Sequence, residues 1–172
     1  LDIKTDDIVL DIGTASGKLL PILASKIEEG KVIGTDISNK MLDKAEKLIE
    51  TNEIQNKVKV KNDDAESSSF PDNYFDKIIA TFTFTTLPTP ERAVSECSRV
   101  LKDDGKMIVL DTGWPDKLYA KILFVPMMYS AKLFGKTHMD RNIVNMLKEE
   151  FYVKVLSSYM LNMVYKVECK LK

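Results

Sequence analysis

Val9-Leu-Asp-Ile-Gly-Thr-Ala-Ser-Gly17 is the stretch from which the rest of the chain can be read. Ile8–Ile12 is a short apolar run closed by Gly13, the pattern of a parallel strand buried on both faces. Small residues follow at Gly13, Ala15 and Gly17, and helical apolar spacing begins at Lys18. Small side chains let backbone N–H groups approach a ligand closely. The helix start beyond the turn suits a carboxylate, and Asp11 at the strand end offers an acceptor to an ammonium. The pair fits the amino-acid end of a ligand. A Walker loop does not fit, because only three residues separate Gly13 from Gly17 and Leu19 follows Lys18. A dinucleotide fingerprint fits poorly, with Ala15 and Lys18 where glycines belong.

Outward from this turn the rhythm is strand, turn, helix. Lys18–Glu28 reads as a helix stopped at Gly30, with Pro21 in its first turn. Lys31–Asp36 is the second strand. Ser38 is an N-cap for a helix from Lys40 to Glu50, with Met41, Leu42, Ala45, Leu48 and Ile49 inward. Lys57–Lys61 alternates strictly and reads as an edge strand with a lysine face. Phe75–Ala80 is a fourth strand, Thr89-Pro90 opens a helix to Leu101, and Asp103-Asp-Gly105 turns into a fifth strand, Lys106–Asp111. His138–Glu150 reads as a helix, and Val153–Tyr159 with Val164–Leu171 as an antiparallel hairpin. This is the pattern of an α/β fold: a Rossmann-like three-layer α/β/α sandwich whose seven-stranded, mostly parallel sheet ends in that hairpin. The length suggests one domain over 1–172, with residues 1–112 holding a ligand and 113–172 completing the acceptor side.

Composition narrows the functional class. The 25 Lys plus Arg balance 26 Asp plus Glu, so there is no basic footprint for nucleic acid. Only Arg92, Arg99 and Arg141 are arginines, few for a protein that grips phosphates bidentately. At 44% hydrophobic residues the chain can bury a core, and general disorder is excluded. Cys97 and Cys169 form no metal cluster or disulfide framework, and with His138 the single histidine no metal site is expected. Two reduced thiols, no signal peptide and no long apolar run fit a cytoplasmic protein. Leu1 rather than Met opens the chain and only seven residues precede the first strand, which leaves room for a natural amino terminus further upstream.

Two further acids follow strand ends. Asp36 closes the second strand, where a carboxylate accepts from both hydroxyls of a ribose. Asn62-Asp-Asp-Ala-Glu66 follows the third, where an acid can accept from an adenine amino group. In this ordered set the sequence resembles the class I S-adenosylmethionine-dependent methyltransferases, best over about residues 8–112. The matching segments are VLDIGTASG (9–17), GTDIS (34–38), NDDAESSSFPDNYFDKIIA (62–80) and RVLKDDGKMIVLD (99–111). The resemblance implies S-adenosylmethionine as cofactor, with S-adenosylhomocysteine as product. It implies that Asp11, Gly13 and Gly17, with Thr14 and Ala15 between them, hold the methionine portion. Asp36 would take the ribose, Ile37 and Met41 would flank the adenine, and Asp64 and Ala65 would meet its amino group and ring. Thr81 would border the methyl-transfer site. The resemblance includes quinone C-methyltransferases and small-molecule or phospholipid N-methyltransferases. The quinone enzymes carry an Arg-Asn pair after strand four, where this chain has Thr81-Phe-Thr-Phe-Thr-Thr-Leu87.

Methyl transfer from a sulfonium is an in-line displacement, so the protein mainly supplies position and electrostatics. Thr83, Thr85 and Thr86 are candidates to line an acceptor pocket, against the plainer reading that they satisfy a turn. Tyr119 and His138 are further candidate acceptor residues. Apolar residues run nearly all round the 118–134 segment. It reads as a cover for a lipophilic acceptor, a dimer interface or a peripheral membrane contact, with core packing the plain alternative. The expected activity is methyl transfer to a small, apolar acceptor. The competing readings are a partner-dependent or non-catalytic cofactor-binding subunit and, at a greater distance, a nicotinamide-dependent oxidoreductase.

Overall fold

The strand that feeds the glycine turn lies inside the sheet, with neighbours on both sides. The structure is a computed structural model that describes residues 2–113, 122, 125, 126, 129, 130, 138, 141–160 and 162–172. In chain order its elements are β1 (Ile8–Ile12), α1 (Leu20–Ala24), β2 (Lys31–Asp36), α2 (Asn39–Thr51), β3 (Val58–Asn62), β4 (Phe75–Thr81), α3 (Pro90–Val100), β5 (Leu101–Thr112), α4 (Ile143–Leu147), β6 (Phe151–Tyr159) and β7 (Val164–Leu171). The seven strands lie in the order β3-β2-β1-β4-β5-β7-β6. The first five are parallel, and β7 runs antiparallel to both β5 and β6. The expected α/β sandwich with a terminal hairpin is the one observed.

Side-chain alternation explains the layers. On β1, Leu10 and Ile12 enter the core shared with Ala93, Val94, Cys97 and Val100 of α3. Val9 points the other way and packs with Leu20 and Leu23 of α1 and Ala45 and Ile49 of α2. A strand covered on both faces needs apolar residues at successive positions, and β1 supplies them. β3 lies at the edge, with Lys59 and Lys61 exposed, as its lysine face suggests. On α2 the side chains of Leu42, Ala45 and Ile49 are buried, while Met41 and Leu48 are half-buried.

Three elements differ from the sequence reading. The helix expected over Lys18–Glu28 is confined to Leu20–Ala24. The reason lies in the backbone: the N–H groups of Glu28, Glu29 and Gly30 all donate to the Thr5 carbonyl, at 2.9, 3.1 and 3.0 Å, instead of to carbonyls one turn back. The helix expected over His138–Glu150 is only Ile143–Leu147. Asn142 starts it late, its side chain accepting from the Asn145 N–H at 3.1 Å. β5 begins at Leu101 rather than Lys106, and its register against β4 shifts between Phe75 and Lys77 to accommodate the Asp103-Asp-Gly105 stretch.

One buried ion pair ties β4 to the entry of β1. Lys77 Nζ lies 3.5 Å from Asp7, and both side chains are buried. Lys77→Met should cost about 3 kcal/mol in urea denaturation, because Asp7 would be left charged and unpaired. Asp7→Asn with Lys77→Met should recover part of that loss.

Candidate functional site

Parallel strands bring their carboxyl ends to one edge, and the order reverses direction between β1 and β4, the usual place for a ligand crevice in such a sheet. The turn after β1 lies at this point. Gly13, Ala15 and Gly17 have φ of +67°, +48° and +77°. A Cβ on Gly17 would stand 2.9 Å from that of Ala45, so its absence lets α2 pack against the turn. Two backbone donors of the turn reach across to β2. Thr14 N–H donates to the Thr35 carbonyl at 2.8 Å and Ala15 N–H to Asp36 Oδ2 at 3.0 Å. Ala15 fits the turn only in a left-handed conformation, which costs an L-residue about 1–2 kcal/mol.

Asp11 is buried and accepts from the Thr14 hydroxyl at 2.6 Å. Burial pushes its carboxyl up to about 6; the Thr14 bond opposes this and the Asp36 charge adds to it. Asp36 is half-buried and accepts from Ser38 N–H at 2.9 Å as well as from Ala15. Each carboxylate oxygen holds two acceptor sites, so two remain for a ligand. Asp63 and Asp64 are adjacent, and the resemblance names only Asp64. Asp63 is buried and held by Ser68 and Ser69, whereas Asp64 is exposed with one oxygen on the Glu66 N–H at 2.9 Å. Ile37 is exposed, and Met41 and Ala65 are half-buried. Asn62 donates to the Ile37 carbonyl at 3.0 Å and to Asn39 at 2.7 Å, fixing the turn that presents Ile37.

Thr81 is exposed at the end of β4, followed by Phe82 at φ +53°. The threonines after it all make hydrogen bonds inside the chain. Thr83 is buried and its hydroxyl donates to the Ile12 carbonyl at 2.9 Å. Thr85 is buried and donates to Asp111 at 2.7 Å, and Thr86 donates to the Thr83 carbonyl at 2.7 Å. Two of these bonds tie the turn to β1 and β5 and the third closes it on itself. Asp111 is itself buried, which raises its carboxyl against the Thr85 bond and the amides of Thr112, Thr85 and Phe84. His138 is brought to this turn, its N–H donating to the Thr85 carbonyl at 2.7 Å. Tyr119 lies outside the described residues, as does most of the 118–134 segment.

An apolar groove of about 880 Å³ opens beside Thr81 and is lined by residues that include Ile22, Ile79, Ile108, Leu110 and Met160. Two residues at this edge carry no simple sequence signal. Thr112 at the end of β5 has a buried hydroxyl without a hydrogen-bond partner among the described residues. Arg141 donates to the carbonyls of Phe84, Leu87 and Pro88; its rarity in a lysine-rich chain was the one available clue. Among the described residues no cluster of metal-ligating side chains occurs, and no helix is long and apolar enough to cross a membrane.

A family model described as a methyltransferase domain matches residues 10–109. A demethylmenaquinone methyltransferase from Lactobacillus johnsonii is 34% identical over 123 residues, covering 71% of this chain and 50% of that protein. A phosphatidylethanolamine N-methyltransferase from Cereibacter sphaeroides is 32% identical over 109 residues, covering 63% and 52%. The chain thus spans about half the length of these curated relatives. In fold, it is similar to a SAM-dependent methyltransferase from Aquifex aeolicus, with a TM-score of 0.74, 23% identity and coverage of 96% of this chain and 82% of that one.

Two substitutions test the local energetics of the site. Ala15→Gly should stabilise the chain by about 1 kcal/mol, the relief of left-handed strain exceeding the extra freedom of glycine when unfolded. Thr112→Val should also stabilise it by about 1 kcal/mol, since it removes an unsatisfied buried hydroxyl. Urea denaturation checks both.

Proposed function

The chain belongs to the class I S-adenosylmethionine-dependent methyltransferase family, whose cofactor is S-adenosylmethionine, and we propose that it transfers the methyl group to a small, apolar acceptor. One observation carries the reading. Asp11, Gly13, Gly17, Asp36 and Asp64 lie along a single sheet edge, with acceptor capacity left on the carboxylates and no side chains on the glycines. This donor and acceptor set fits the cofactor by its chemistry. Asp11, beside the turn of bare glycine backbone, suits the ammonium of the amino-acid end, the open sites on Asp36 suit the ribose diol, and exposed Asp64 suits the adenine amino group. Ile37, Met41 and Ala65 supply apolar surface for the adenine ring. When bound, the cofactor supplies an activated methyl group on sulfur. The residues of this chain would hold it toward an acceptor beside Thr81, where orientation lowers the barrier. A base is required only for an acceptor that must lose a proton; His138, whose backbone N–H reaches the Thr85 carbonyl, is kept as a candidate acceptor residue.

The apolar groove beside Thr81 supports an acceptor with apolar bulk, as do two relatives whose names specify demethylmenaquinone and phosphatidylethanolamine. Residues 1–172 are read as one domain of a cytoplasmic protein that takes no nucleic acid as partner. A contact through 118–134, peripheral to a membrane or between copies, belongs to the same reading; among the described residues of that segment Ile122, Val125 and Tyr129 are exposed.

Calorimetric titration with S-adenosylhomocysteine tests the reading. Micromolar binding is expected, and failure of the folded chain to bind would sink it. Asp36→Ala should weaken binding by about 1.5–3 kcal/mol, as for a charged hydrogen bond lost. The pH dependence has a definite sign. The Asp11 carboxyl lies at about 6 in the fold against an ordinary 3.8, so its proton favours the folded state below 3.8, and that stability is lost as pH rises through about 6. An ammonium held by Asp11 needs the ionised form. Affinity for S-adenosylhomocysteine should therefore rise with pH through about 6 and then level off, and Asp11→Asn should remove the dependence.

A further inference from the structure

We propose that Thr83 is a positioning residue that couples the turn after β1 to the turn after β4, so that occupation of the cofactor side sets the geometry of the acceptor side. The inference rests on the cofactor reading above. Its basis is a contact between the two turns with no slack. The Thr83 hydroxyl donates to the Ile12 carbonyl, the residue before Gly13, at 2.9 Å. A Cβ on Gly13 would stand 2.8 Å from Thr83 Oγ1 and 2.9 Å from its Cγ2, so both branches of the threonine occupy the space that a side chain at Gly13 would need. Close-packed contacts of this kind transmit displacement rather than absorb it.

The rest of the turn after β4 is pinned. Phe82 N–H donates to the Leu110 carbonyl at 2.8 Å. Thr85 gives its hydroxyl to Asp111 at 2.7 Å and its N–H to the same carboxylate at 3.4 Å. The Arg141 guanidinium takes the carbonyls of Phe84, Leu87 and Pro88, and His138 N–H takes that of Thr85. A shift at Gly13 therefore meets a braced turn through Thr83. What the brace holds is Phe82, between Thr81 and Thr83, at φ +53° with its side chain 47% exposed. A bulky residue keeps that conformation only where its surroundings over-determine it. Thr83 thus sets Phe82 and, next to it, Thr81, the residue read above as bordering the methyl-transfer site.

Amide hydrogen exchange over residues 82–86, with and without saturating S-adenosylhomocysteine, tests the coupling in the wild type, Thr83→Ser and Thr83→Val. The ligand should slow exchange there by about five-fold or more in the wild type. Thr83→Ser keeps the hydroxyl and should keep the effect. Thr83→Val keeps the shape but loses the hydroxyl, and its exchange at 82–86 should no longer respond to the ligand. Should the valine variant fail to fold, Thr83→Ala takes its place with the same expectation. A ligand response preserved in the valine or alanine variant would overturn the proposal, as would the absence of any response in a wild type that binds the ligand by calorimetry. Absence of calorimetric binding would overturn the cofactor reading itself, and the coupling with it.

Discussion

Two hydrogen bonds fix the part of the molecule on which the rest depends. The amides of Thr14 and Ala15 are taken by the Thr35 carbonyl and the Asp36 carboxylate. They bind the turn after β1 to the end of β2, so the one segment of backbone that must lie open over the sheet edge is also held from below. Both glycines of that turn are required twice over. Each has a φ that L side chains rarely adopt, and each lies where a Cβ would strike a neighbour, Thr83 at Gly13 and Ala45 at Gly17. The turn thus touches β2, β4 and α2 through its own backbone, and their side chains need only be placed to suit it.

The strands were legible in the sequence because burial on two faces forces a run of apolar residues, as at Val9–Ile12, while an edge leaves its mark in Lys57, Lys59 and Lys61. Helix lengths were less legible. The apolar spacing of Lys18–Glu28 is helical throughout, yet the Thr5 carbonyl, nineteen residues before the last residue of α1, takes the amides of Glu28, Glu29 and Gly30. Spacing reports which side chains want to be buried, not where the backbone finds its partners.

In the site, Asp11, Asp36 and the glycines could be placed because each follows a strand whose end is plain in the sequence. Between Asp63 and Asp64, both aspartates in one turn, the resemblance alone names the second. Only the fold shows that two serines claim the first and leave the second open. The threonines after β4 were ambiguous for a similar reason. A hydroxyl is equally suited to a ligand or to a backbone carbonyl, and the choice depended on Ile12 and Asp111, which are distant in sequence. Arg141 gave no pattern at all, because carbonyl oxygens recognised across more than fifty residues have no sequence signature.

The chain leaves the sheet at Gly113, whose N–H is fixed to the Met163 carbonyl, and it is held again at His138 and Arg141 against the turn after β4. Both anchors lie at the sheet edge that carries Asp36 and Thr81. The two ends of this connection are therefore fixed by bonds to residues outside it, and a change in its length alters closure entropy only slowly. Sequence between the two anchors can be exchanged without touching the bonds that hold the sheet, so one part of the chain is free to vary while the residues before Gly113 keep the fold.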